Sequence, residues 1–234
     1  MTDTILSVHG LSKVFTMHLQ GGVRLPVVEG ATFDVAAGEC VVLGGPSGSG
    51  KSSVLKMVSG TYGASAGSIL VRHRGAMVDT TRISAREMIA VRRETIANVT
   101  QFLHAIPRVS ALDLVAAEAR GLDPEAARGK AGELLARLNL PERLWGLPPA
   151  TFSGGEKQRV NIAAGFIREA PLLLVDEPTA SLDAVNRAVV VAMIEEKKTA
   201  GTAILGIFHD EAVRDAVADR IVDVTRFAPA AAAA

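Results

Sequence analysis

Eight consecutive residues, Gly45-Pro46-Ser47-Gly48-Ser49-Gly50-Lys51-Ser52, carry the full pattern of a phosphate-binding loop. The glycines let the backbone approach a polyphosphate and turn its N–H groups inward, while the following helix start adds partial positive charge. Lys51 is the residue expected to reach the β- and γ-phosphates. The Ser52 hydroxyl is placed for Mg²⁺ and that of Ser53 for a phosphate oxygen. A Gly-rich turn is the alternative, but residue frequencies give this pattern by chance in roughly one such chain in a hundred.

A second run, Leu172-Leu173-Leu174-Val175-Asp176-Glu177-Pro178, is apolar until it ends in two carboxylates. That pattern suits a central parallel strand buried on both faces, with Asp176 and Glu177 emerging at its carboxyl end. Asp176 is expected to hold Mg²⁺ and Glu177 to polarise an attacking water. Alone, the run also fits a solvated turn; beside a phosphate loop it points to nucleotide hydrolysis.

The third run is Phe152-Ser153-Gly154-Gly155-Glu156-Lys157-Gln158-Arg159. Ser153 reads as a helix N-cap, with bare backbone N–H groups at Gly154 and Gly155 offering a second anion-binding helix start. A chain that already has a phosphate loop gains from this only if the motif completes the site of another subunit. An ordinary capped helix is the alternative.

These groups need a scaffold. At 234 residues with 48% hydrophobic content, the chain has ample material for one α/β domain. Residues 5–8, 14–17 and 32–35 read as strands, the first two as edge strands. Residues 40–43 form a strand before the phosphate loop, and residues 51–59 a helix after it. From about residue 107 to 168 the apolar spacing is helical, with Leu112, Leu114, Val115, Leu134, Leu135 and Leu138 at its centre. Strands return at residues 172–175, 203–208 and 220–224, with helices at 184–198 and 210–217 between them. This order is that of a βαβ core with a helical lobe inserted.

Lys plus Arg equals Asp plus Glu at 25 each, so no global field favours nucleic acid or anionic lipid. The single cysteine, Cys40, excludes an internal disulfide framework and reads as a small buried hydrophobe. No stretch reaches the ~18–20 apolar residues of a membrane span, and the start lacks signal-peptide character. The cytoplasm is the expected compartment. Residues 228–234, ending in alanines, read as a tail.

Together the three runs, with an isolated His209 beyond them, resemble the ATP-binding cassette (ABC) ATPases in identity, order and spacing over residues 4–225. The resemblance implies a RecA-like phosphate-loop core, an antiparallel β subdomain and an inserted α-helical subdomain. It divides a single domain of residues 1–227 into core plus β subdomain (about 1–102 and 170–227) and helical subdomain (about 103–169). Mg-dependent hydrolysis of ATP to ADP and phosphate is implied, in a dimer that sandwiches the nucleotide. Phe15 takes the place of the aromatic that stacks on adenine, and Gln101 that of the glutamine that senses Mg²⁺ and relays to the helical lobe. Ser153, Gly154, Gly155 and Glu156 would face the nucleotide of the opposite subunit. Ser181-Leu182-Asp183 would cross the interface, and His209 would contact the γ-phosphate. Ala164, where the family commonly has arginine, puts one helical-lobe contact in doubt.

Four blocks, residues 101–112, 140–145, 161–167 and 207–214, with the early segment 22–27, are similar within that family to the PhnL-type ATPases that accompany the carbon–phosphorus lyase in phosphonate utilisation. That likeness implies a role in the α-D-ribose 1-methylphosphonate 5-triphosphate synthase step. The partners implied are the lyase core complex and a sister ABC ATPase, or a second copy of this chain. The alternative is the motor subunit of a membrane transporter, which shares every nucleotide motif. Arg72, His73, Arg74, Arg82, Arg86, Arg92 and Arg93 read either as a solvated face or as a docking surface; stacking aromatics for nucleic acid are missing there. Trp145 reads as core. His18, His73 and His104 lack paired metal-ligand spacing.

Overall fold

A computed structural model describes residues 3–17 and 21–229. The readings on Met1, Thr2, His18 and the alanines after Pro229 lie outside the described residues. β1 (Thr4–Met17) and β2 (Val23–Ala36) form a long hairpin. β3 (Cys40–Gly44) leads into α1 (Lys51–Val58), and β4 (Ala66–His73) pairs with β5 (Ala76–Asp79) before α2 (Ala85–Glu94) and β6 (Ile96–Val99). Helices α3 (Ala111–Ala116), α4 (Pro124–Arg137) and α5 (Gly154–Phe166) follow without an intervening strand. The chain then alternates through β7 (Leu172–Asp176), α6 (Ala184–Thr199), β8 (Ala203–Ile207), α7 (Glu211–Val217) and β9 (Arg220–Asp223).

Two sheets result. One is antiparallel in the order β2-β1-β4-β5; the other is parallel in the order β6-β7-β8-β3-β9. β7 and β8 are buried along their whole length. Successive side chains therefore enter different cores. Leu173 and Val175 pack with α5, α6 and the helical lobe, while Leu172 and Leu174 pack with α1 and the antiparallel sheet. The order β6-β7-β8-β3 places four strand ends side by side at one edge, directly before Gln101, Glu177, Phe208 and the phosphate loop.

Three readings of the strands are corrected. Residues 5–8 and 14–17 belong to one strand, which passes a register shift between Val8 and Leu11 at Gly10. β1 is also an inner strand, flanked by β2 and β4. Its alternation reflects a sheet covered on one face, which local pattern cannot distinguish from an edge. β2 begins nine residues before the expected start at Thr32, because pairing with β1 extends the hairpin beyond the apolar core.

The helical lobe rests on β6 through a close approach. A Cβ at Gly165 would overlap Val99 Cγ2 and come 3.1 Å from the Asn98 carbonyl oxygen. Ion pairs tie the lobe to the core at its far side: Arg137 bonds both Glu196 oxygens at 2.6 and 2.5 Å, and Glu169 lies between Lys130 and Lys197. Trp145 packs against the lobe core and donates its indole N–H to the Leu140 carbonyl at 3.0 Å. Cys40 is fully buried, and burial pushes its thiol up to about 12, so it is inert as a nucleophile. In the basic segment, Arg74 pairs with Glu94, Arg72 with Asp3 and Arg82 with Asp79. Arg92 donates to the Ser59 carbonyl. Much of that positive charge is thus matched within the chain.

Candidate functional site

The phosphate loop starts where β3 ends. Gly45, Gly48 and Gly50 all have positive φ (129°, 83° and 96°). At Gly50 the need is also steric, since a Cβ there would lie 2.8 Å from Val28 Cγ2 and 3.1 Å from the Val27 carbonyl. Gly50 supplies no side-chain cap to α1, so the first N–H groups of that helix stay available to a ligand. Lys51 is buried, and its ammonium donates to the carbonyls of Gly45 and Pro46, each at 2.8 Å. The loop therefore closes around the one cation it carries.

Asp176 and Glu177 stand on the neighbouring strand but one. Asp176 is 7% exposed, and its buried Oδ1 has no hydrogen-bond partner among the described residues. Burial raises its pKa, and the Glu177 charge adds to that rise. Such an acceptor needs a cation or a donor from outside the chain. Glu177 adopts a left-handed conformation, φ 52°, with its N–H bonded to the Ile207 carbonyl at 3.0 Å. That sharp turn at the strand end costs about 1–3 kcal/mol in a non-glycine residue. It aims the carboxylate along the sheet edge: Oε1 lies 2.8 Å from His209 Nε2, and Oε2 accepts from Gln101 Nε2 at 3.4 Å.

The structure thus brings Gln101, Asp176, Glu177 and His209 to one edge, beside the loop of residues 45–53. A second group is separate. Ser153 caps α5 through a capping box with Glu156: Ser153 Oγ accepts from the Glu156 N–H at 3.4 Å, and Glu156 Oε2 takes the Ser153 N–H at 2.8 Å. The capping bond goes to Glu156, which leaves the Gly154 and Gly155 N–H groups at an exposed helix start. Ser181 runs alongside, with its carbonyl 2.9 Å from where a Cβ of Gly155 would stand. Asp183 caps α6, accepting from the Asn186 N–H at 2.8 Å. No hydrogen bond among the described residues joins this group to the phosphate loop.

Phe15 stands on the antiparallel sheet, paired across the hairpin with Leu25. Two of its neighbours escaped sequence reasoning. Tyr62 meets it edge to face at 5.4 Å between centroids, and Lys13 Nζ lies 4.7 Å from its ring centre. The only available signals were that Tyr62 is the sole tyrosine and that Lys13 shares a strand face with Phe15.

Comparison with known proteins agrees with this geometry. The ABC transporter family pattern matches residues 28–180. An uncharacterised ABC transporter ATP-binding protein of Mycobacterium tuberculosis, Rv0073, is 35% identical over 92% of this chain, which spans 64% of that relative's length. The lipoprotein-releasing system ATP-binding protein LolD of Idiomarina loihiensis is 35% identical over 90% of both chains. Among solved structures, the dimeric bacterial ABC transporter cassette MJ0796 superposes with a TM-score of 0.84 at 25% identity, over 94% of this chain and 95% of that one. The same cassette is known in a dimeric post-hydrolysis state with ADP and Pi, at a TM-score of 0.83. The chain belongs to the ABC transporter ATP-binding family, and its domain is an ATP hydrolase of the ABC type.

Proposed function

We propose that this chain is the ATP-driven motor subunit of a membrane transporter, acting as one half of an ATP-sandwich dimer. One observation carries the proposal. Gln101, bonded to Glu177, opens a loop that leaves Phe102 71% and Ile106 58% exposed beside exposed His104 and Arg108. The Glu177 carboxylate is therefore one hydrogen bond away from the residue that opens a loop with an exposed apolar surface. LolD, whose name assigns it to a lipoprotein-releasing system, supports a membrane partner. No helix among the described residues is itself long and apolar enough to cross a membrane.

In the proposed reaction Lys51 and the loop N–H groups of residues 45–53 bind the polyphosphate, and Phe15 carries the adenine. Glu177 orients the water that attacks the γ-phosphorus, and the bond to the ADP oxygen breaks to give phosphate. His209 and Gln101 hold the carboxylate from either side and contact the γ-phosphate region. Gly154 and Gly155, with Ser153 and Glu156 shaping their helix start, face the nucleotide of the second copy. Asp183 holds the adjoining turn. The buried, unpartnered Asp176 Oδ1 fits a Mg²⁺ ion, which Ser52, Asp176 and Gln101 would hold. Bound there, Mg²⁺ would neutralise charge on the phosphate oxygens.

The second reading is action on a soluble carbon–phosphorus lyase complex, alone or with a sister ABC ATPase. The four sequence blocks favour it, above all residues 101–112, because that block contains the exposed loop itself. Affinity capture of the tagged chain from native cells, with mass spectrometry of membrane and soluble fractions, separates the two. A co-purifying permease supports the transporter. Lyase subunits, together with loss of growth on methylphosphonate in a deletion strain, would replace it with the lyase reading.

A further inference from the structure

The hairpin end bearing Phe15 is joined to the phosphate-loop helix by a small aromatic and cationic cluster. Tyr62 follows α1, and the N–H groups of Thr61 and Tyr62 bond back to the Lys56 carbonyl at 2.8 and 2.9 Å. This turn is stitched to β1: Ser65 N–H donates to the Ser12 carbonyl at 2.8 Å, and Val14 N–H to Ser65 Oγ at 3.0 Å. Within that frame Tyr62 meets Phe15 at an interplanar angle of 84°. Lys13 Nζ sits in the corner between the rings, 4.7 Å from the centre of Phe15 and 5.7 Å from that of Tyr62. A hydrogen bond of 2.7 Å to the Gly63 carbonyl fixes the ammonium there. Lys56, from α1, approaches Tyr62 at 5.4 Å.

We propose that Lys13 and Tyr62 are positioning residues for the nucleotide base, holding the Phe15 ring so that one face is closed by the Lys13 ammonium and the other is open for stacking. The inference rests on the reading of Phe15 as the base platform and deepens it. A half-buried phenylalanine on a hairpin end would otherwise sample more than one rotamer, and stacking would have to order it at an entropic cost. The edge-to-face contact removes that freedom before the base arrives. The ammonium draws the ring's π density to the closed side, which leaves the open face less negative toward an electron-rich purine. Tyr62 also ties the platform to the helix that starts at Lys51, so base and phosphate subsites share one support.

Calorimetry with Mg-ATP and with inorganic tripolyphosphate, a ligand without a base, tests this. Phe15→Ala should weaken ATP roughly tenfold and leave tripolyphosphate unchanged. Tyr62→Ala and Lys13→Met should each weaken ATP about 3- to 10-fold, again sparing tripolyphosphate. Tyr62→Phe and Lys13→Arg, which keep the ring and the cation, should bind like the parent. If Phe15→Ala behaves as expected while Tyr62→Ala and Lys13→Met bind ATP normally, the positioning role is overturned and the platform stands. If Phe15→Ala has no effect, the platform reading fails and the proposal goes with it. Equal losses for both ligands would show that Tyr62 and Lys13 merely support the phosphate loop, which also overturns the proposal.

Discussion

His209 Nε2 lies 2.8 Å from Glu177 Oε1, while the other Glu177 oxygen accepts from Gln101 at 3.4 Å. The carboxylate is gripped from both sides by groups carried on two different strand ends. Glu177→Gln keeps the shape and the backbone turn but loses the negative charge. Phosphate release should fall by about 10²–10⁴-fold while calorimetry shows ATP binding retained. A variant turning over at the parent rate would remove Glu177 from the water-orienting role.

Lys51 donates to two carbonyl dipoles, those of Gly45 and Pro46, and among the described residues makes no ion pair within 4.0 Å. Lys51→Ala removes the point charge proposed to face the terminal phosphates. ATP affinity in the presence of Mg²⁺ should drop at least tenfold by calorimetry, with turnover dropping in parallel. Unchanged affinity would mean that the loop does not hold the nucleotide.

At the α5 start, a Cβ on Gly154 meets nothing in its own chain nearer than Ser181 Oγ at 3.9 Å. Gly154→Asp should therefore fold normally, yet set a carboxylate against the phosphates held by the opposite subunit. In the Glu177→Gln background ATP should drive dimerisation, and adding Gly154→Asp should abolish it, as read by sedimentation. ATP-dependent dimers in the double variant would contradict the sandwich arrangement.

Gly165 makes the tightest requirement in the helical lobe, because α5 can lie on β6 only without a side chain there. Gly165→Ala should destabilise by about 1–3 kcal/mol through overpacking against Val99 and Asn98. Thermal unfolding would show it as a lower Tm. An unchanged Tm would mean that the lobe can shift outward freely.

The outer ties of the lobe make a prediction about pH. Arg137 holds Glu196 below the ordinary carboxylate range, and Lys130, ahead of Lys197, does the same for Glu169. A depressed folded pKa contributes stability that is complete above the unfolded value near 4.5 and fades as pH falls through the lower folded values. Both carboxylates are well exposed, so each pair contributes no more than about 1 kcal/mol. Arg137→Ala should thus cost little at pH 7. Its difference from the parent should vanish in acid, measured as Tm against pH. A difference that grew toward low pH would be incompatible with this pairing.

The chemistry was more legible in the sequence than the scaffold. Phosphate loop, acidic strand end and capped glycine pair are local motifs, and each occupies the element its residues demand. The strand 172–175 was legible because four apolar residues in a row suit burial on both faces. β4, β5 and β6 were not, because they are short or rich in charge and acquire strand conformation by pairing, β4 with β1, β5 with β4 and β6 with β7. The same limit hid Tyr62 and Lys13. Tyr62 reaches Phe15 from a turn about fifty residues further along the chain, and the Gly63 carbonyl of that turn fixes the Lys13 ammonium over the ring; pattern reading has no access to such distances.

The placement of Gln101 has an evolutionary consequence. A single side-chain amide connects the Glu177 carboxylate with the loop of residues 102–109, and the exposed side chains of that loop take no part in holding the strand ends. Substitutions there can accumulate, and the cassette can be harnessed to a new machine, while the cluster of Gln101, Glu177 and His209 stays as it is.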